Sequence, residues 1–92
     1  MTNITTGVTL NVQNGIVTTV SSTLAADASA NFTVTNNKVT ATSNVIPNVI
    51  YAGAGNAEAK IYSISDGSFV VKLTNTGTAA LNAAVKVGFI VL

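Results

Sequence analysis

The side chains of this chain that could carry out chemistry are few and widely spaced. The sequence contains no His, Cys or Arg, which removes the usual general base at neutral pH, the thiolate nucleophile and the bidentate clamp for phosphate. The acids are Asp27, Glu58 and Asp66. A paired-carboxylate site would need two of them to converge across the fold, and their spacing gives no sign of this. We therefore expect a protein that is not an enzyme.

Other residue combinations point to chemistry even more weakly. Ser63, Ser65 and Ser68 coexist with lysines, but those lysines are better explained as solvated or edge residues of a sheet. The acids are too few and too dispersed to form a calcium cage. The Ala-Gly-Ala-Gly run at residues 52–55 lacks the helix and the Lys-Ser/Thr pair of a phosphate-binding loop, and residues 52–56 are interpreted as a mobile loop. The sequence thus predicts no metal, no cofactor and no small-molecule substrate.

Two tripeptides, Asn3-Ile4-Thr5 and Asn31-Phe32-Thr33, match the glycosylation sequon. Such matches are expected by chance in a chain so rich in Asn and Thr. Tyr51 and Tyr62 are explained first by packing in a core or an interface.

The composition predicts association with another chain. Ninety-two residues fit a single domain, residues 1–92, and charged residues make up 8% of it, against about 25–35% on a comfortable monomer surface. An apolar surface with so little charge is usually buried against a partner. The net charge of +1 comes from scattered residues, so neither a nucleic acid nor a membrane surface is an expected partner.

The ends of the chain predict synthesis in a cytoplasm. The opening MTNITTG lacks the basic and apolar regions of a secretory signal. The closing run AAVKVGFIVL is interrupted by Lys86 and is shorter than the roughly 20 apolar residues that span a bilayer. With no Cys there are no disulfides, so strand pairing and packing must supply the stability.

Short runs of apolar and polar residues alternate with a period of two, which is typical of half-buried strands. Three turn dipeptides, Asn14-Gly15, Asn36-Asn37 and Asp66-Gly67, predict hairpins. The predicted pairs are Val12 with Val17, Leu10 with Thr19, Val34 with Val39, Phe32 with Ala41, Ile64 with Phe69, and Tyr62 with Val71. Asn36-Asn37 is the weakest of these signals, and a bend between strands of different sheets is the alternative there.

The remaining segments favour a two-layered sheet structure. Pro47 predicts an edge strand or a bulge, because it cannot donate to a ladder. Residues 79–84 are compatible with a helical turn, and a last strand begins at Val85. Val85, Val87, Phe89 and Val91 share one face of it, while Ile90 and Leu92 make the other face apolar too, which is typical of a central or interface strand.

These observations predict an all-β, antiparallel β-sandwich of about eight short strands, of jelly-roll or Greek-key type. Two-sided apolarity predicts an interface along the last strand and the edge from Ile46 to Tyr51. The predicted interface residues are Ile46, Val49, Tyr51, Val87, Phe89, Ile90 and Leu92.

Two stretches, FTVTNNKVTATSNVI and SDGSFVVKLTNTGTAALNAAVKVGFIVL, resemble a module of structural proteins from tailed bacteriophages. The resemblance covers about two-thirds of the chain. It is carried by Phe32, Asn36, Val39, Ser43, Asp66, Gly67, Ser68, Phe69, Asn75, Ala80, Leu81, Asn82 and Phe89. These positions look structural, so the resemblance implies a fold and a virion setting more than a particular role.

A small stand-alone module of this kind resembles capsid cement or decoration proteins. The resemblance implies a homotrimer on the outer surface of a virion capsid, with the major capsid protein as its partner. The alternative is a tail or head fibre domain, since a similar module ends longer fibre proteins. A bacterial adhesin or surface-layer module is a third possibility, against which the missing export signal counts.

Overall fold

The computed structural model describes residues 7–21 and 23–91. Over these residues the chain forms strands and no helix. The strands are β1 (Val8–Thr9), β2 (Asn14–Thr18), β3 (Ser29–Thr35), β4 (Val45–Ile50), β5 (Ala57–Ser65), β6 (Ser68–Asn75) and β7 (Lys86–Val91). They form a four-stranded sheet in the order β1-β3-β6-β5 and a three-stranded sheet in the order β2-β7-β4.

The alternation seen in the sequence produces the core between these two sheets. Strands β3, β6 and β7 each bury every second residue, because successive side chains of a strand point to opposite faces. Phe69 of β6 and Phe89 of β7 meet edge to face with their ring centroids 5.1 Å apart. The predicted all-β sandwich is therefore confirmed, with seven strands in the described residues rather than eight. One pair, β1 with β3, is parallel and departs from the antiparallel prediction.

The hairpin at Asp66-Gly67 is confirmed. It joins β5 to β6, Gly67 has a φ of 81°, and Ile64 pairs with Phe69 as predicted. The predicted pairing of Tyr62 with Val71 is wrong, because the register shifts between Ile61 and Ser63 and Ile61 takes the place opposite Val71. The extra residue of this bulge turns Tyr62 away from the core, and its side chain is 60% exposed.

The predicted hairpin at Asn14-Gly15 is wrong. Both residues lie inside β2, which pairs with β7, while β1 joins the opposite sheet. Gly15 is not among the residues with positive φ. It provides space instead, because a Cβ there would lie 2.9 Å from side-chain carbons of Leu10 and Val12 and these side chains would have to shift. The pairs predicted across this turn, Val12 with Val17 and Leu10 with Thr19, do not form.

The hairpin at Asn36-Asn37 is also wrong, and the alternative of a bend between sheets is confirmed. The chain leaves β3 in one sheet and enters β4 in the other, so Val34 and Phe32 pair with β6 and not with Val39 and Ala41. Asn36 is fully buried. Its amide Nδ2 donates to the Val12 carbonyl at 2.6 Å, and its Oδ1 accepts from the Lys38 N–H at 2.8 Å. A side chain that bonds to neighbouring segments stabilises this crossing.

The predictions for Pro47 and the last strand are confirmed in part. Pro47 lies in β4, an edge strand, and β7 is the central strand of its sheet. Val85, Val87, Phe89 and Val91 are all buried, as one face of that strand should be. Residues 79–84 form bends rather than a helical turn. Leu92 lies outside the described residues.

Asn75 holds together the loops at one end of the sandwich. It is fully buried, and its Nδ2 donates to the carbonyls of Leu24 at 3.0 Å and Ala79 at 2.8 Å. Its Oδ1 accepts from the N–H groups of Gly77 at 3.0 Å and Asn56 at 3.2 Å. One side chain thus satisfies main-chain groups of separate loops, as buried polar groups require.

Replacing Phe89 with Ala is expected to destabilise the fold by about 3–5 kcal/mol, because it removes the aromatic contact and leaves a cavity in the core. Ile90→Ala, one residue away on the exposed face, should cost less than about 1 kcal/mol. Urea unfolding followed by circular dichroism measures both. Similar losses for the two variants would contradict the assignment of Phe89 to the core.

Replacing Asn75 with Ala is expected to lower the free energy of unfolding by at least about 3 kcal/mol, since it leaves several main-chain donors and acceptors without their side-chain partner. The control is Asn31→Ala, an exposed Asn on β3, which should change the free energy of unfolding by less than about 0.5 kcal/mol. Equal midpoints of urea unfolding for the two variants would show that Asn75 does not hold the loops.

Candidate functional site

The outer faces of the two sheets differ in chemistry. The outer face of the four-stranded sheet is mainly polar and carries hydroxyl groups, an amide, two lysines and a glutamate. Its residues include Ser29, Asn31, Thr33 and Thr35 of β3, Ser68, Val70, Lys72 and Thr74 of β6, and Glu58, Lys60, Ser63, Ser65 and the exposed Tyr62 of β5. Such a face is satisfied by water, so it needs no covering partner.

The outer face of the three-stranded sheet is apolar for most of its area. We call it the isoleucine face, and it is built from three cross-strand rows. These rows are Asn14, Ile90 and Ile46; Ile16, Gly88 and Asn48; and Thr18, Lys86 and Ile50. Ile16 and Ile50 are 57% and 56% exposed, and Ile46 and Ile90 are each 46% exposed.

The alternation of the three strands explains why these residues face outward. In β7 the outward residues Lys86, Gly88 and Ile90 alternate with buried residues such as Val87 and Phe89. The inward positions therefore already supply this sheet's part of the core. The four outward isoleucines are therefore additional to what the fold needs. Exposed apolar residues that lie together, rather than singly, are candidates for an interaction surface.

A shallow groove crosses the isoleucine face at Gly88. Its volume is about 380 Å³, and its floor and walls come from Asn14, Gly15, Ile16, Ile46, Asn48, Gly88, Phe89 and Ile90. A Cβ built on Gly88 would lie 3.8 Å from its nearest neighbours, the carbonyl oxygens of Asn48 and Gly15. The chain itself would therefore tolerate a side chain there, and the absence of one leaves the groove open.

The electrostatics of the isoleucine face suit protein contact. Lys86, at one end, is the one charged residue among the nine of the face. Asn14 and Asn48 place side-chain amides beside the groove. A patch of this kind can bury aliphatic side chains of a partner and form a few hydrogen bonds around them, which is the usual composition of a protein interface.

The structure separates the residues predicted to form an interface. Ile46 and Ile90 lie on the isoleucine face. Val49 and Tyr51 are half-buried and pack against the core. Val87 and Phe89 are 1% and 3% exposed, so they are core residues whose side chains do not reach the surface. Leu92 lies outside the described residues.

The prediction missed Ile16. Asn48 and Ile50 lie within the predicted edge from Ile46 to Tyr51, and Gly88 lies within the last strand, but none of the three is among the individually predicted interface residues. The predicted hairpin pairs the strand of Ile16 with the segment before Asn14. In the structure this strand pairs with β7 instead, which places Ile16 on the outer face beside Gly88. The alternation of β4 around Pro47 does put Ile46, Asn48 and Ile50 on one side of that strand, so their shared face could be predicted from the sequence. The pairing of β2 and β4 with the same central strand could not.

The residues considered for catalysis are not assembled into a site. Asp66 lies at the β5–β6 turn, where its Oδ1 accepts from the Ala41 N–H at 2.8 Å, while Glu58 lies near the other end of β5. Ser63 pairs with Val70, and Lys60 with Lys72. Within the described residues no three His, Cys, Asp or Glu side chains are grouped to hold a metal ion. Nor do residues 7–21 and 23–91 include a helix suited to crossing a membrane.

Comparison with known proteins gives no match. No family model, no curated protein and no solved structure is similar to this chain. Its function therefore has to be argued from its own residues.

Replacing Gly88 with Ala is expected to leave the fold intact and to raise the free energy of unfolding by up to about 1 kcal/mol, because Gly is unfavourable in a strand. Gly77→Ala is the matched control, since its Cβ would lie 2.7 Å from the Asn56 nitrogen, and it should destabilise. Thermal unfolding of both variants makes the comparison. A lower melting temperature for Gly88→Ala would show that the groove is part of the packing.

Proposed function

We propose that this chain is a structural protein of a bacteriophage virion, a capsid cement or decoration protein that acts by binding and not by catalysis. It attaches to the major capsid protein on the outer shell through the isoleucine face and stabilises the shell as an oligomer. The observation that carries the proposal is the exposed isoleucine face of a chain with few charges. The sequence resemblance to phage modules supplies the virion setting and the trimeric order.

The size of the isoleucine face supports attachment in many copies. Three strands spaced about 4.8 Å apart, each five or six residues long, give a footprint of roughly 14 by 17 Å. This is well below the roughly 800 Å² that each partner contributes to a standard stable interface. A single contact of this size is weak, and repeated contacts on a lattice strengthen it through multivalency.

The difference between the two outer faces supports an oriented attachment. A shell-bound protein needs one face for the shell and one for water. The isoleucine face is suited to the first, and the polar outer face of the four-stranded sheet to the second. Lys60 and Lys72 are paired across strands on that polar face, and covering it with another chain would require the desolvation of both charges.

The copy number of the chain in purified particles of the encoding virus tests the proposal. We expect hundreds of copies per particle, in a near-constant ratio to the major coat protein, by quantitative mass spectrometry. A handful of copies would support the fibre domain instead. Absence from the particle would overturn the virion assignment.

Substitutions on the isoleucine face test the mode of attachment. Ile46→Thr with Ile90→Thr keeps β-branched residues in the strands and should reduce binding to particles lacking this chain by at least about tenfold, since two apolar contacts are lost. Val70→Thr, the same kind of change on the polar face, is the control and should bind normally. Equal binding by both variants would exclude the isoleucine face as the attachment surface.

A further inference from the structure

The edge strands of the two sheets are not equally protected against pairing with another strand. Strand β5 carries Glu58 and Lys60 and is interrupted by its bulge, and β1 has only two residues. Charges, bulges and short length are the usual means of blunting an edge. Strand β2, with the sequence Asn-Gly-Ile-Val-Thr, has none of them.

The other edge of the three-stranded sheet is protected by Pro47. In the β4–β7 ladder the even residues of β7 face β4, because its odd residues face β2. The matching residues of β4 are also even, so Pro47 lies at an outward position. Its missing N–H removes a donor from the free edge and costs the ladder nothing. One edge of this sheet is thus protected and the other is open.

The free main-chain groups of β2 can be identified from the ladder. The Thr19 N–H donates to the Val85 carbonyl at 2.8 Å, and the Val91 N–H donates to the Gln13 carbonyl at 2.7 Å. Odd residues of β2 therefore face β7, and the N–H and C=O groups of Asn14, Ile16 and Thr18 face away from it. Within residues 7–21 and 23–91 these groups have no main-chain partner.

We propose that β2 pairs antiparallel with β2 of a second copy of this chain, about a two-fold axis at Ile16. Each Ile16 then lies opposite its symmetry mate, and Asn14 lies opposite Thr18 of the second copy. The three matched positions give about six main-chain hydrogen bonds, two at each position. The contact is isologous, since the same residues serve on both sides.

The side chains and charges of β2 are compatible with this pairing. On the inner face, Val17 of one copy lies opposite Gly15 of the other, where the side chains of Leu10 and Val12 pack over the glycine, so Val17 meets an apolar surface there. Strand β2 itself is uncharged. Lys86 lies on β7 beside Thr18, so it and its symmetry mate are three strand spacings apart across the sheet and four residues apart along it. This separates the two charges by about 19 Å, beyond the screening length of about 8 Å at physiological salt. No like charges are brought together.

The area of contact sets the strength of the pairing. A five-residue strand edge is about 17 Å long, and two sheets about 10 Å apart give the contact a similar depth. This is less than the roughly 800 Å² per partner of a standard stable dimer. The dimer is therefore weak in solution and forms at high local concentration. The pairing does not rest on the proposed function, because it leaves the isoleucine face open and extends it across both copies. Its two-fold axis is also separate from the trimer that the sequence resemblance implies.

Hydrogen exchange of the full chain, measured by NMR from about 10 μM to about 1 mM, a range suited to a weak dimer, tests the pairing. The N–H groups of Asn14, Ile16 and Thr18 should become protected as the concentration rises, and sedimentation should show a dimer. Those of Gly15 and Val17 bind β7 and should be protected throughout, as an internal control. A monomer at every concentration would overturn the proposal. So would concentration-independent protection of the outward groups, which would mean that the chain's own residues cover the edge.

Two substitutions at one position separate strand pairing from effects on the fold. Thr18→Pro removes an outward N–H, as Pro47 does on the opposite edge, and should weaken dimerisation at least about tenfold. Thr18→Val changes the side chain, keeps the N–H, and should dimerise normally. Both should unfold at similar urea concentrations. Equal dimerisation of the two variants would overturn the pairing, whereas loss of particle binding with dimerisation intact would concern the isoleucine face alone.

Discussion

The edge-to-face contact of Phe69 and Phe89, with centroids 5.1 Å apart, joins the central strands of the two sheets. The other elements depend on it because β6 and β7 each pair with strands on both sides. With no disulfide, the packing of these inner faces is the main source of stability, since burial of apolar area is the dominant favourable term in folding. The outer faces are then free to differ in chemistry.

The crossings between sheets make buried amides necessary. Among the described strands, only β5 and β6 are consecutive in sequence and paired with each other. Every other connection passes from one sheet to the other and leaves main-chain groups that no ladder can satisfy. Asn36 and Asn75, both fully buried, supply such partners at two of these crossings, the one after β3 and the one after β6.

The alternation of apolar residues could be predicted from the sequence, but the strand partners could not. Asp66-Gly67 and Asn14-Gly15 are both strong turn signals, and only the first forms a turn. Gly67 has a positive φ, whereas Gly15 makes room for Leu10 and Val12. A glycine required for conformation and one that provides space look the same in a single sequence. The candidate site depended on this distinction, because Ile16 joins the isoleucine face only once β2 pairs with β7.

The isoleucine face is not explained by the fold itself. Threonine has a β-branched side chain and a strand preference similar to that of isoleucine, and β3 uses it at its outward positions, Thr33 and Thr35. The same solution was open to β2, β4 and β7, and β2 uses it at Thr18, yet four of their nine outward positions carry isoleucine. Exposed isoleucines lower solubility when they lie together, a cost that a covering partner would offset. The chemistry of this outer face is therefore better explained by association than by folding.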